Sequence, residues 1–212
     1  MEDEAHDDIG ARRPIASRST GWARWLAARL AASAITPNQI SLASIPVAAA
    51  GGALIGFGDS SLAWLVAALC IQLRLVCNLL DGMVAIEGGR KTSTGALYNE
   101  FPDRIADSLL LVPIGYAAGA PWFGWAAALT AVLTAYVRVF GGALGLPQSF
   151  DGIMAKQRRM AVLTFALVAQ ALETPFAGSR TSLLVAGIVI AAGSLVTCAT
   201  RTRAIARQLT GR

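Results

Sequence analysis

The sequence predicts an all-α integral membrane protein of about six transmembrane helices, with an amphipathic helix lying in the membrane interface ahead of them. Composition, run length and charge placement predict it together. The chain is 55% hydrophobic and only 15% charged, where soluble domains carry about 25% charged residues. Uncharged stretches such as 40–57 and 108–137 are long enough to cross a bilayer. The basic residues, which bring the net charge to +5, flank the apolar runs. That placement suits anionic lipid head groups and control of topology, not nucleic acid. A large soluble helical core would need polar helix faces, and the sequence has none.

Residues 1–18 are polar and read as a flexible tail. The start of this tail is acidic, unlike the positive opening of a secretory signal peptide. Over 19–35, Trp22, Trp25, Leu26 and Leu30 recur at helical spacing, with Arg24 and Arg29 among them. This predicts an interfacial helix with its indoles at head-group level; an ordinary packed surface helix is the alternative. Thr36-Pro37-Asn38-Gln39 is a helix start: Thr36 caps, Pro37 suits the first turn and Gln39 closes a capping box. Spans follow at roughly 38–57, 62–86, 95–118, 122–142, 157–173 and 181–200. They make up a catalytic unit over 36–202, and a basic tail covers 203–212.

Topology follows from the basic residues. The N-terminal segment has Arg12, Arg13, Arg18, Arg24 and Arg29, and the 87–94 loop has Arg90 and Lys91. Lys156, Arg158 and Arg159 open the fifth span, and Arg201, Arg203, Arg207 and Arg212 close the chain. The opposite loops offer only Arg180. These basic regions therefore share the cytoplasmic side, and both termini are cytoplasmic, as in a bacterial inner-membrane protein. Cys70, Cys77 and Cys198 lie in apolar segments without metal-ligand spacing and read as small core residues. His6, the only histidine, lies in the acidic tail, which argues against histidine catalysis.

Ionisable groups inside a span are costly and mark function. The second span holds Arg74, Asn78 and Asp81 on one face. The third holds Asn99, Asp103 and Asp107 at spacings of four, with Glu100 beside them. Adjacent spans run antiparallel, so both sets face one cavity near the cytoplasmic surface. Carboxylates crowded there need neutralising. A divalent cation with oxygen ligands would do it, and Mg²⁺ leaves positions open for phosphate oxygens. The alternative is an internal salt-bridge cluster in which Arg74 and Arg104 neutralise Asp81, Asp103 and Asp107. Gly82, Gly88, Gly89 and Gly95 allow close approach of a ligand or a helix. Pro102 is expected to bend the third span and aim Glu100 inward.

These residues resemble the signature of the CDP-alcohol phosphotransferases, D-x2-D-G-x2-A-R-x8-G-x3-D-x3-D. Here the pattern reads Asn78-x2-Asp81-Gly82-x2-Ala85-Ile86-x8-Gly95-x3-Asn99-x3-Asp103, with every spacing kept. Asn78, Ile86 and Asn99 depart in kind. Thr36-Pro-Asn and Lys156-x-Arg158-Arg159 resemble further features of that family.

The resemblance implies transfer of a phosphatidyl group from a CDP-linked lipid, CDP-diacylglycerol above all, to an alcohol acceptor in phospholipid synthesis, with CMP leaving. It implies one or two Mg²⁺ or Mn²⁺ ions, membrane lipids as surroundings, no nucleic-acid partner, and a homodimer. Asn78, Asp81, Asn99, Glu100 and Asp103 are then the metal-shell candidates, and Asp103 and Asp107 the catalytic ones. Gly82, Ala85 and Gly95 would border the nucleotide. Arg138, Lys156 and Arg158 would receive phosphates. Two Asp-to-Asn changes keep oxygen donors but remove charge, while Glu100 and Asp107 add carboxylates on the same helix, so a shifted site is expected. The rival readings are a non-catalytic lipid- or nucleotide-binding homologue and a small transporter.

Overall fold

The structure, a computed structural model, describes residues 19–90, 92–176 and 178–211. The 1–18 tail and Lys91 lie outside the described residues. Among the described residues the chain is all helical: α1 Gly21–Ala31, α2 Pro37–Phe57, α3 Ser61–Glu87, α4 Gly95–Ala117, α5 Pro121–Ala143, α6 Lys156–Glu173 and α7 Thr181–Thr210.

The helix starts have local causes. Thr36 Oγ1 accepts from the Gln39 backbone N–H at 3.2 Å, and Gln39 Oε1 accepts from the Thr36 N–H at 2.9 Å, which completes the expected capping box. Ser60 Oγ accepts from the Ala63 N–H and caps α3. Pro121 stands in the first turn of α5, where its missing N–H costs nothing. The last helix differs from expectation. It runs on to Thr210 instead of ending near 200, because 195–210 contains no Gly or Pro and includes several Ala and Arg; Gly211 follows it.

Four helices, α2, α3, α5 and α7, are long and apolar enough to cross a membrane. The chain is thus an integral membrane protein. The other two long helices, α4 and α6, bury part of their charge on the inner side, at Asp103, Asp107, Lys156 and Arg159. Their outer faces expose Phe101, Ile105, Phe165 and Leu172.

α2 packs on α3 and α4, α5 on α4 and α7, and α6 on α3 and α7. The core between them joins Ile55, Trp64, Ile71, Leu110, Ile114, Leu163, Leu167 and Ile190. A second cluster seats α1 against α3: Ala23 and Ala27 are fully buried beside Ile40, Leu79, Leu80 and Val84. Trp22 and Trp25 point outward, 50% and 61% exposed, and the Arg29 guanidinium lies over the Trp25 ring. One helix thus combines a packed small-residue face with an exposed indole face.

Candidate functional site

The polar residues gather at one end of the bundle because five helices bring their ends there. Asn78 and Asp81 lie in the last turns of α3, and Asn99 to Asp107 in the first turns of α4. Ser41 comes from the start of α2, Arg138 from the end of α5, and Lys156 and Arg159 from the start of α6. All of those named except Asp107 and Arg159 border a cavity of about 790 Å³. Asn78, Asp81, Gly82, Ala85, Gly95, Asn99, Glu100 and Asp103 line it, as do Arg138 and Lys156. Every motif position named from the sequence, the departing Ile86 included, therefore borders one space. α4 continues as a helix through Pro102, and Glu100 lines the cavity.

Two predicted residues sit elsewhere. Asp107 is 1% exposed and does not line the cavity. Its carboxylate lies deeper, between Arg74 Nη2 at 2.6 Å and Arg159 Nη2 at 2.7 Å. Arg158 is exposed and donates to the Gly152 carbonyl at 3.4 Å; it borders a separate, shallower hollow.

The carboxylates in the cavity have distinct surroundings. Asp103 is met by Lys156 Nζ at both of its oxygens, by Asn78 Nδ2, by Arg74 Nη2 at 3.2 Å and by Arg104 Nη2 at 3.5 Å. Glu100 pairs with Arg138 Nη2 at 2.5 Å and Arg104 Nη1 at 3.7 Å. Arg138 is further occupied by Gln148 Oε1 at 2.5 Å and stacks over the Phe150 ring. Asp81 differs. Its oxygens accept from Ser41 Oγ at 2.6 Å and from the Gly82 N–H at 2.5 Å, and among the described residues no basic side chain pairs with it. The salt-bridge cluster considered from sequence thus exists around Asp103 and Asp107 and leaves Asp81 outside.

Whether these residues suit a divalent ion turns on the free oxygens. Asn78 donates its Nδ2 to Asp103, and its Oδ1 is buried without a hydrogen-bond partner. A buried orphan carbonyl oxygen is costly unless something accepts its lone pairs. With the unpaired Asp81 carboxylate and the Asn99 amide on the same cavity, it forms an oxygen donor set suited to a hard cation. Among the described residues no three Asp, Glu, His or Cys side chains converge, so the donor set is rich in amides and poor in charge.

Sequence reasoning missed Ser41, Gln148 and Phe150. Ser41 stands one turn into α2, at the depth of Asp81, and a hydroxyl at that depth was the available signal. Gln148 and Phe150 lie on a loop, where periodicity carries no information.

No family model matches the chain. Individual relatives do. The chain is 34% identical over 128 residues to the archaetidylinositol phosphate synthase of Aeropyrum pernix, covering 60% of this chain and 64% of that one. It is 27% identical over 194 residues to the phosphatidylinositol phosphate synthase of Streptomyces avermitilis, covering 86% and 77%. The chain is thus similar to enzymes named for phosphatidylinositol phosphate and archaetidylinositol phosphate synthesis. A third relative, inner membrane protein YnbA of Escherichia coli, is 33% identical over 79 residues, 37% of this chain and 39% of that protein. The chain thus spans well under half of YnbA and just under two thirds of the archaeal synthase.

The same fold is found in solved structures. Mycobacterium tuberculosis phosphatidylinositol phosphate synthase with CDP-DAG bound superposes with a TM-score of 0.74 at 20% identity, over 86% of this chain and 92% of that one. The same mycobacterial enzyme in complex with manganese and citrate gives a TM-score of 0.72. That likeness establishes the fold.

Proposed function

We propose that this protein transfers a phosphatidyl group from a CDP-linked lipid, CDP-diacylglycerol in the first instance, to an alcohol and releases CMP. The observation that carries the reading is the convergence of the family's motif positions from α3 and α4 on one cavity at one end of a membrane bundle. The relatives named for phosphatidylinositol phosphate and archaetidylinositol phosphate synthesis, and the fold shared with an enzyme holding CDP-DAG, support it.

In this reading Asp81, Asn78 Oδ1 and the Asn99 amide hold a Mg²⁺ or Mn²⁺ ion. When bound, such an ion screens the pyrophosphate and polarises the phosphorus. Gly82, Ala85 and Gly95 leave room for the nucleotide beside the backbone. Lys156 contributes a buried positive charge to the same space. Asp103 receives the acceptor's proton as the hydroxyl oxygen bonds to phosphorus and the bond to CMP breaks. The CMP oxygen keeps that bond's electron pair. Lys156 and Arg74 hold Asp103 in place for this role.

The bundle crosses the membrane with α4 and α6 as further spans, their charges turned inward and their apolar faces to lipid. The site lies at the cytoplasmic side with both termini, α1 rests in the interface, and the chain pairs as a homodimer.

The test is product formation. Membranes containing the protein, given labelled CDP-diacylglycerol, a panel of alcohols and Mg²⁺ or Mn²⁺, should release CMP and form a new phospholipid with one alcohol class. Absence of metal-dependent CMP release with every acceptor would favour the non-catalytic binding reading.

A further inference from the structure

The distribution of cations in the cavity bears on how many metal ions it takes. Arg74, Arg104, Arg138 and Lys156 stand around Glu100 and Asp103, so fixed cations outnumber carboxylates there. Asn78 and Asn99 stand where the motif's other carboxylates would be. Lys156, the first residue of α6, reaches across to α4 and grips both oxygens of Asp103. It is only 6% exposed.

We propose that the Lys156 ammonium stands in for a second metal ion, so that this site binds a single divalent cation through Asp81 and the Asn78 and Asn99 amides. The inference rests on the phosphotransfer reading above and concerns the same cavity. Its first support is occupancy. The Asp103 oxygens already accept from Lys156, Asn78, Arg74 and Arg104, so a metal there would have to displace charge-assisted bonds. The second is repulsion: a doubly charged ion placed against a buried ammonium and the Arg74 guanidinium is opposed at short range. The third is the asymmetry of free donors. Asp81 has no basic partner among the described residues and Asn78 Oδ1 has no hydrogen bond, whereas both Asp103 oxygens meet cations. Lys156 then offers the donor's pyrophosphate a fixed positive charge that cannot dissociate, beside one exchangeable ion.

The experiment is a Mn²⁺ titration of the full chain in lipid nanodiscs. Free Mn²⁺ is followed by electron paramagnetic resonance, and a thermal melt of each variant checks its folding. Wild type should bind one Mn²⁺ per chain. Lys156→Met should tighten Mn²⁺ binding about tenfold or admit a second equivalent, the scale on which a neighbouring charge shifts a carboxylate's equilibria. Lys156→Arg should stay at one. If Lys156→Met does not fold, Asn78→Asp replaces it: the added carboxylate should tighten binding while Lys156 holds the count at one. Two ions or none in wild type, Lys156→Met indistinguishable from wild type, or a second equivalent in Asn78→Asp would each overturn the proposal. Two bound ions with intact CMP release would remove this inference and spare the reaction. One bound ion without CMP release would do the reverse.

Discussion

Asp81 and Asp107 are both buried carboxylates on neighbouring helices, yet their partners give them opposite roles. Asp81 is held by a hydroxyl and a backbone N–H and borders the cavity. Asp81→Asn should cut metal-dependent CMP release at least about 100-fold, the upper range for disturbing a metal shell, with the melting temperature little changed. Retained wild-type turnover would place Asp81 outside the metal shell. Asp107 instead joins Arg74 to Arg159 away from the cavity. Asp107→Asn leaves two buried guanidinium groups short of an anion, a loss of about 3–5 kcal/mol for a broken buried pair. A thermal melt should register it as a clear drop in stability, and an unchanged melt would refute the structural role. Glu100→Gln separates the two effects. Glu100 is partly exposed and lines the cavity against Arg138, so turnover should fall more than stability does.

At the scale of elements, small residues set how closely the helices approach. A Cβ on Gly52 of α2 would lie 2.1 Å from the Leu109 carbonyl oxygen of α4. One on Gly124 of α5 would lie 2.4 Å from the Val112 carbonyl oxygen of α4. Backbone cannot yield as a side chain does, so α4 sits tightly between α2 and α5, which fixes the height at which its carboxylates meet α3 and α6. Gly52→Ala and Gly124→Ala should each destabilise by about 1–3 kcal/mol through overpacking. Gly178→Ala, with nothing within 4 Å of the new methyl, should not. Equal melting temperatures for all three would contradict this packing.

At the scale of the whole molecule, the proposed crossing of α4 and α6 places the 87–94 loop and the C-terminal end on one side of the membrane and the α2–α3 turn on the other. Single cysteines at Thr92 and Thr210, in a background where Cys70, Cys77 and Cys198 are replaced, should react with an impermeant thiol reagent from the cytoplasmic side only. A cysteine at Ser60 should react from the other side only. Labelling of Thr92 and Ser60 from the same side would exclude this topology. The helices themselves were legible in the amino-acid sequence, because apolar run length and capping are local properties: Thr36 and Gln39 close their box within one turn. The motif residues were legible because fixed spacing on two antiparallel helices forces them to one end. The charge partners were not. Whether Asp103 meets a metal or Lys156 depends on a residue 53 positions away in sequence, and whether Asp107 faces the cavity depends on how α4 is rotated against α6. The chain alone determined an acidic, amide-rich membrane site with this motif spacing. Only the tertiary structure decided which carboxylates meet basic side chains, because ion pairing is set by distances between helices that no local pattern encodes.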